Sequence, residues 1–185
     1  MMFFQIITTY IFYVFFFSNG LSEEMIFEDF SEVKSIENWE FISDQVMGGV
    51  SLGRFEILKE KDIKFLRMTG NVSLENNGGF IQVRKKVYPS IEGNIKAIKL
   101  ITRGNQSDYF IHIRTKFTIL PWQYYQLKFK VSNQWETKIL NINDFARSGS
   151  FLPKVINPSY IKSIALVAFG REHDVELDVA EIIIF

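Results

Sequence analysis

The sequence has no cysteine, two histidines, four prolines and no excess of charge of either sign. Without cysteine there is no disulfide framework, no thiolate zinc site, no iron–sulfur cluster and no thiol nucleophile. Histidine is scarce, so a Ser-His-Asp arrangement has only His112 and His173 to draw on, and no G-x-S-x-G elbow accompanies either. His112 falls in an alternating stretch and His173 in a turn, so both read as structural. Twenty-one basic and twenty-one acidic residues cancel, which argues against a nucleic-acid partner. No D-x-D-x-D-G loop is present, and Gly48-Gly49 and Gly78-Gly79 are not followed by Lys-Ser/Thr. Calcium-loop and phosphate-loop chemistry therefore have no support, and no metal or cofactor is expected. Asp174, Glu176 and Asp178 alternate along one face and read as a solvated acidic edge.

What is abundant is apolar: 47% of the 185 residues are hydrophobic, and nineteen are phenylalanine. Residues 1–22 carry no charged side chain, and Phe3–Phe17 is broken only by Gln5, Thr8 and Thr9. That run is short of the roughly twenty residues a membrane-spanning helix needs. It suits the core of a secretory signal, with small residues at Ser18 and Gly20 or Gly20 and Ser22 before a cut. The expectation is a signal peptide or N-terminal anchor over 1–22 and one folded domain over 23–185. The protein is then exported, to the periplasm or beyond, or membrane-anchored, with membrane contact only through that segment. Two sequons, at Asn71 and Asn105, matter only in a host that glycosylates exported proteins.

After the leader, helical periodicity is nearly absent and period-two alternation recurs. Leu127, Phe129 and Val131 alternate with lysines and Gln126; Ile111 and Ile113 alternate with His112 and Arg114; Val175, Leu177 and Val179 alternate with acids. Runs rich in β-branched and aromatic residues lie at 25–30, 39–42, 63–69, 80–87, 95–102, 135–142, 161–169 and 182–185, separated by Gly and Asn turns. About ten short strands with regular turns predict an all-β antiparallel sandwich or barrel. Single helical turns are expected only near 141–145 and 159–161. Exposed aromatics on such a sandwich are a stacking platform for sugars. Pro121-Trp122-Gln123-Tyr124-Tyr125 is the most loop-like aromatic cluster, so Trp122, Tyr124 and Tyr125 are the candidate carbohydrate contacts.

One segment is more specific. Trp39–Ser51, reading W-E-F-I-S-D-Q-V-M-G-G-V-S, resembles the W-x-x-x-x-D-x-V-M-G-G-x-S signature of the complex I intermediate-associated protein 30 family. Ser73–Arg84 resembles that family's S-x-E-N-N-G-G-F-x-x-x-R segment. Arg103-Gly104-Asn105 with Tyr109 resembles its R-G-D…Y pair, with Asn105 in place of the acid. Tyr125-Gln126, Phe129, Trp135, Phe145 and Arg147 resemble later family positions, and the resemblance spans about 25–185. It implies a galactose-binding-like jelly-roll sandwich. It also implies a non-enzymatic, chaperone-like assembly role whose partners are proteins, with respiratory-complex subunits among the candidates. Within the motifs, Asp44, Gln45, Asn76, Asn77, Arg84 and Arg103 are candidate binding residues. Asp44 and Gln45 are placed to satisfy backbone donors of the Gly48-Gly49 bend, and Arg84 and Arg103 to pair with Asp44 or Glu75. The export-like leader departs from the family's mitochondrial role. An exported carbohydrate-binding module is therefore the alternative reading, and an acid-pair hydrolase using Asp44 and Glu75 a third.

Overall fold

The computed structural model describes residues 24–32 and 34–185; the expected leader over 1–22 lies outside them. Among the described residues twelve strands follow one another: Met25–Glu28 (β1), Trp39–Ser43 (β2), Leu52–Glu60 (β3), Ile63–Val72 (β4), Phe80–Lys86 (β5), Ala97–Gly104 (β6), Asp108–Thr115 (β7), Tyr125–Lys130 (β8), Glu136–Asn141 (β9), Ala146–Arg147 (β10), Ile161–Phe169 (β11) and His173–Ile184 (β12). They form two six-stranded antiparallel sheets. The first runs β3-β4-β12-β6-β9, and the second β10-β8-β7-β11-β5-β2. The long β12 is shared along one side: β4 pairs with His173–Val179, and β1 takes over at Ile182–Ile184. The architecture is the antiparallel sandwich that the alternation predicts.

The alternation sets the core. Leu66, Met68, Leu100, Leu177 and Val179 point inward from the first sheet and meet Ile81, Val83, Ile111, Ile113, Ile164 and Leu166 from the second; all are fully buried. Burying such side chains contributes about 1.5–3 kcal/mol each. Short 3-10 turns at Ile142–Asp144 and Pro158–Tyr160 fall where single helical turns are expected. Further 3-10 turns lie at Ser35–Asn38, Asp44–Met47 and Glu75–Asn77. β3 has no expectation from sequence, because Gly53 opens it and the Leu58-Lys59-Glu60 end blurs its alternation. The runs at 175–179 and 182–185 prove to be parts of one strand.

Several aromatics that a sandwich displays on its surface are here inside it. Trp39 is buried, and its Nε1 donates to Glu28 Oε2 at 3.1 Å. Burial works to raise the Glu28 carboxyl, but Lys85 (Nζ 2.7 Å away), the Phe30 amide and Trp39 together hold it below its usual value. Tyr109 is fully buried; its hydroxyl donates to Asn105 Oδ1 at 2.7 Å and accepts from Glu176 N at 3.0 Å. Burial pushes that phenol up to about 12. Asn105 Nδ2 donates in turn to the Asp174 carbonyl at 2.7 Å. The Asn105 side chain thus ties the β6–β7 turn to β12.

The outer face of the first sheet carries a charged cluster. Asp178 is 1% exposed and accepts from Arg67 Nε and Nη2, both at 2.7 Å, and from Arg103 Nε at 2.8 Å. Arg103 also donates to Glu60 Oε2 at 2.6 Å and lies over the Trp135 ring, 4.5 Å from its centre. The solvated acidic edge expected from Asp174, Glu176 and Asp178 is corrected here: Asp174 and Glu176 are exposed, but Asp178 is the buried hub of an ion-pair network.

Candidate functional site

On the outer face of the second sheet, the antiparallel register sets residues in rows. The middle strand, β11, presents small side chains outward. Ala165 stands opposite Arg84 of β5 and His112 of β7, Ser163 opposite Arg114, and Val167 opposite Gln82. One strand further out, Gln126 of β8 stands opposite His112 and Glu40 of β2 opposite Arg84. Long side chains flanking a short-chained central strand make a trough. Its volume is about 720 Å³, within the roughly 300–1,000 Å³ typical of ligand sites. Val46, Met47, Asn77 and Phe80 wall it on one side, and Pro121, Trp122 and Tyr124 on the other.

Each wall is anchored by one charged side chain. Asp44 is 0% exposed. Its Oδ1 accepts from Ser51 N at 2.9 Å, and its Oδ2 from Ser51 Oγ, from Gly79 N at 2.6 Å and from Phe80 N at 3.3 Å. Ser51 Oγ accepts in turn from Ser73 N at 3.0 Å. Burial alone would raise the carboxyl, but these donors, Ser51 first, hold it below its usual value. A Cβ on either Gly49 or Gly78 would overlap the Asp44 carboxyl, so only glycine fits there. The 3-10 turn bearing Val46 and Met47 is thereby locked to the turn bearing Asn77. Opposite, Arg114 Nη2 donates to the carbonyls of Thr118 and Leu120 at 2.9 and 3.0 Å and holds the 116–124 loop.

The segments joined by Asp44 are those singled out as motifs, and the sequence model of the Complex I intermediate-associated protein 30 family matches residues 28–179. The chain belongs to this family. No curated protein matches it. Among solved structures, the family 11 carbohydrate-binding module of the cellulosomal cellulase Lic26A-Cel5E of Clostridium thermocellum superposes with a TM-score of 0.71 at 13% identity, over 88% of this chain and 94% of that one. A family 11 module from Clostridium thermocellum in complex with a β-1,3-1,4-mixed-linked tetrasaccharide gives 0.71 at 14% identity, over 88% and 95%. The agarase AgWH50C gives 0.57 at 11% identity, over 87% of this chain and 24% of its own. At such identities the likeness shows the fold: a jelly-roll sandwich of the kind the family resemblance implies.

The family's D-x-V-M-G-G-x-S and N-N-G-G-F segments therefore meet in space as one clamp, and their candidate residues separate. Asn77, Arg84, Trp122 and Tyr124 line the trough. Asp44 is buried behind its wall and offers no oxygen to a ligand, which also removes one member of the Asp44–Glu75 acid pair. Gln45 is exposed and donates from Nε2 to the Ser51 carbonyl at 3.1 Å. Asn76 and Asn77 both adopt left-handed backbone, with φ of 56° and 58°, and are exposed. Arg84 pairs with Glu40 at 2.8 Å and Arg103 with Asp178 and Glu60, not with Asp44 or Glu75 as expected. Arg103 lies on the other sheet, away from the trough. Tyr125 is 1% exposed, its hydroxyl donating to the Pro153 carbonyl at 2.9 Å. It opens β8 directly after Tyr124, and the extended chain turns it to the core.

The trough also contains Gln82 and Arg114, not singled out from sequence, and His112, which the sequence presents as structural. Their signal was the polar half of the alternation in β5 and β7, which reads equally well as a solvated face. His112 is 8% exposed and stacks on Tyr124 with ring centres 4.0 Å apart and planes 9° apart. Burial pushes its imidazole down to about 4; the Gln126 carboxamide works the other way without reaching ordinary hydrogen-bond geometry. An unfolded histidine titrates near 6.5, so the unfolded chain binds the proton first as pH falls. His112 then contributes stability that is present above about pH 6.5 and lost on the way down through about 4. Between pH 7 and 5 the expected loss is on the order of 1–2 kcal/mol. Urea unfolding at both pH values checks it, and His112→Gln should flatten the difference. Among the described residues no group of three or more His, Asp or Glu gathers as metal ligands would.

Proposed function

We propose that the chain is a non-enzymatic binding module that holds a segment of a partner protein in the trough on the second sheet, in the manner of an assembly factor. The observation that carries this reading is the trough itself: a preformed cleft with an apolar floor, a few convergent polar groups and apolar side chains at its rim. Val46, Met47, Ile119, Leu120 and Trp122 are all exposed around it, and an exposed apolar rim of that kind marks a protein contact. The neighbouring chemistry is poor for catalysis. The one histidine lining the trough is held neutral by burial and stacks on Tyr124, and the buried aspartate is committed to Ser51 and to backbone amides. The family description points to intermediates of complex I as partners. The apolar N-terminal segment supports a protein that works at or beyond a membrane.

The alternative reading is an exported carbohydrate-binding module. Trp122, 65% exposed, and the stacked Tyr124–His112 pair are flat surfaces for a sugar ring, and a similar structure is described with a tetrasaccharide bound. One experiment separates the two. Trp122→Ala should leave stability within about 0.5 kcal/mol, because the ring is largely in solvent. It should weaken partner capture by about thirtyfold if Trp122 is an interface anchor. Capture from the native host, followed by identification of bound proteins and of the chain's own N-terminus, reads both points. Unchanged capture by Trp122→Ala rejects the trough as the protein site, and binding of glucan oligosaccharides with no protein partner favours the sugar reading.

A further inference from the structure

Among the described residues, the trough carries positive charge and no negative charge of its own: Arg84 and Arg114 line it, and no Asp or Glu does. The Arg84 partner, Glu40, stands exposed at the sheet edge, and surface pairs of that kind hold weakly. Among the described residues Arg114 has no acidic partner; its donors go to the Thr118 and Leu120 carbonyls and, at 3.5 Å, to Thr118 Oγ1. A half-buried guanidinium facing only neutral acceptors is under-compensated. Burial, and then the nearby charge of Arg84, push Arg114 below its usual value.

A second observation points the same way. Among the described residues, Nε2 of His112 and Oε1 of Gln126 are buried with no hydrogen-bond partner; His112 lines the trough, and Gln126 stands opposite it one strand further out. Buried polar atoms are nearly always paired. His112 thus brings an unpaired nitrogen to the lining of an open cleft, where a ligand's polar group completes the pairing. The register places His112 in the same row as Arg84 and one step from Arg114.

We infer that the trough selects an acidic segment of its partner protein. An Asp or Glu carboxylate sits against Arg114 and Arg84, where charge-assisted hydrogen bonds are strongest. The peptide backbone meets His112, and flanking apolar side chains pack on Met47 and Trp122. This rests on the protein-binding reading above, and it names the chemistry of the partner.

The test is selection of a random dodecapeptide display library on the full chain, followed by fluorescence anisotropy with the enriched peptides. The expected result is peptides that carry Asp or Glu beside apolar residues. Replacing that acid by its amide should weaken binding by about tenfold or more, and added salt should weaken it too. Arg114→Gln would also free the 116–124 loop, so Arg84→Gln is the variant on the protein side, with a similar loss expected. The change on the peptide leaves the protein's folding untouched. Enriched peptides that are neutral or basic, or that bind equally after acid-to-amide replacement, overturn the acidic preference and leave the protein-binding reading standing. Failure to enrich any peptide overturns both, and binding of a mixed-linkage β-glucan tetrasaccharide in its place assigns the trough to carbohydrate.

Discussion

Asp44→Ala is expected to cost about 3–5 kcal/mol of stability, because it leaves the buried amides of Ser51, Gly79 and Phe80 and the Ser51 hydroxyl without their acceptor. For a domain of this size that corresponds to a fall of about 10 °C or more in Tm. The same carboxylate joins the turn after β2 to the turn before β5, so the loss extends beyond the pairs it breaks: the wall carrying Val46, Met47 and Asn77 is released. Asp44→Asn keeps the shape but turns one oxygen into a donor facing donors, and should fall between wild type and Ala. Gly49→Ala and Gly78→Ala should resemble Asp44→Ala, since either methyl displaces the carboxyl. The folded-state carboxyl is held below its ordinary value, so its contribution is complete above an unfolded pKa near 3.9 and is lost as pH falls below that. Asp44→Ala should accordingly flatten the acid limb of the stability profile below about pH 4. Differential scanning calorimetry across pH, with partner capture on the surviving folded protein, checks the assignment. Near-normal melting of Asp44→Ala would show that the carboxylate is not the clamp.

Removing Asp178 should be equally damaging for a different reason. Its two arginine partners are mostly covered, and Asp178→Ala leaves Arg67 and Arg103 facing each other over Phe65 and Trp135, with Glu60 the one remaining ion-pair partner among the described residues and Glu56 and Glu176 acting at longer range. Breaking a buried ion network from one side typically costs about 3–5 kcal/mol, because an uncompensated charge remains. Asp178→Asn keeps acceptor geometry on one oxygen and should cost less. The network lies on the outer face of the first sheet, whereas the trough lies on the outer face of the second. Ligand capture per folded molecule should therefore be unchanged, and urea unfolding beside a binding titration separates the two quantities. A drop in capture without a drop in stability would place Arg103 in the binding site after all, although it lies on the opposite sheet.

The two expectations draw on residues that sequence patterns present alike. Asp44 and Arg103 stand in family motifs as Asn77 and Arg84 do, yet only the latter pair reaches the trough. A motif preserves whatever the fold needs at a position. For Asp44 that is four hydrogen bonds to neighbouring turns, and for Arg103 a buried carboxylate. Tyr124 and Tyr125 make the point more sharply: adjacent in sequence and both aromatic, one faces the trough and the other the core, because successive residues of an extended chain point to opposite faces.

The amino-acid order alone determined the class of fold. Period-two alternation of Ile, Val, Leu and Phe with charged residues can bury its apolar half only in a sheet, and Gly- and Asn-rich turns at short spacing leave antiparallel sandwiching as the way to do it. The order of the D-x-V-M-G-G-x-S and N-N-G-G-F segments likewise determined the family. The trough was decided only in three dimensions. Its depth comes from Ser163, Ala165 and Val167 lying between long side chains of strands that are distant in sequence. Its walls come from loops tied down by Asp44, across a separation of 35 residues that no local pattern records, and by Arg114 from the end of β7. Periodicity reports which side of its own strand a residue occupies; strand order, which sets neighbours across the sheet, is fixed by packing of the whole chain.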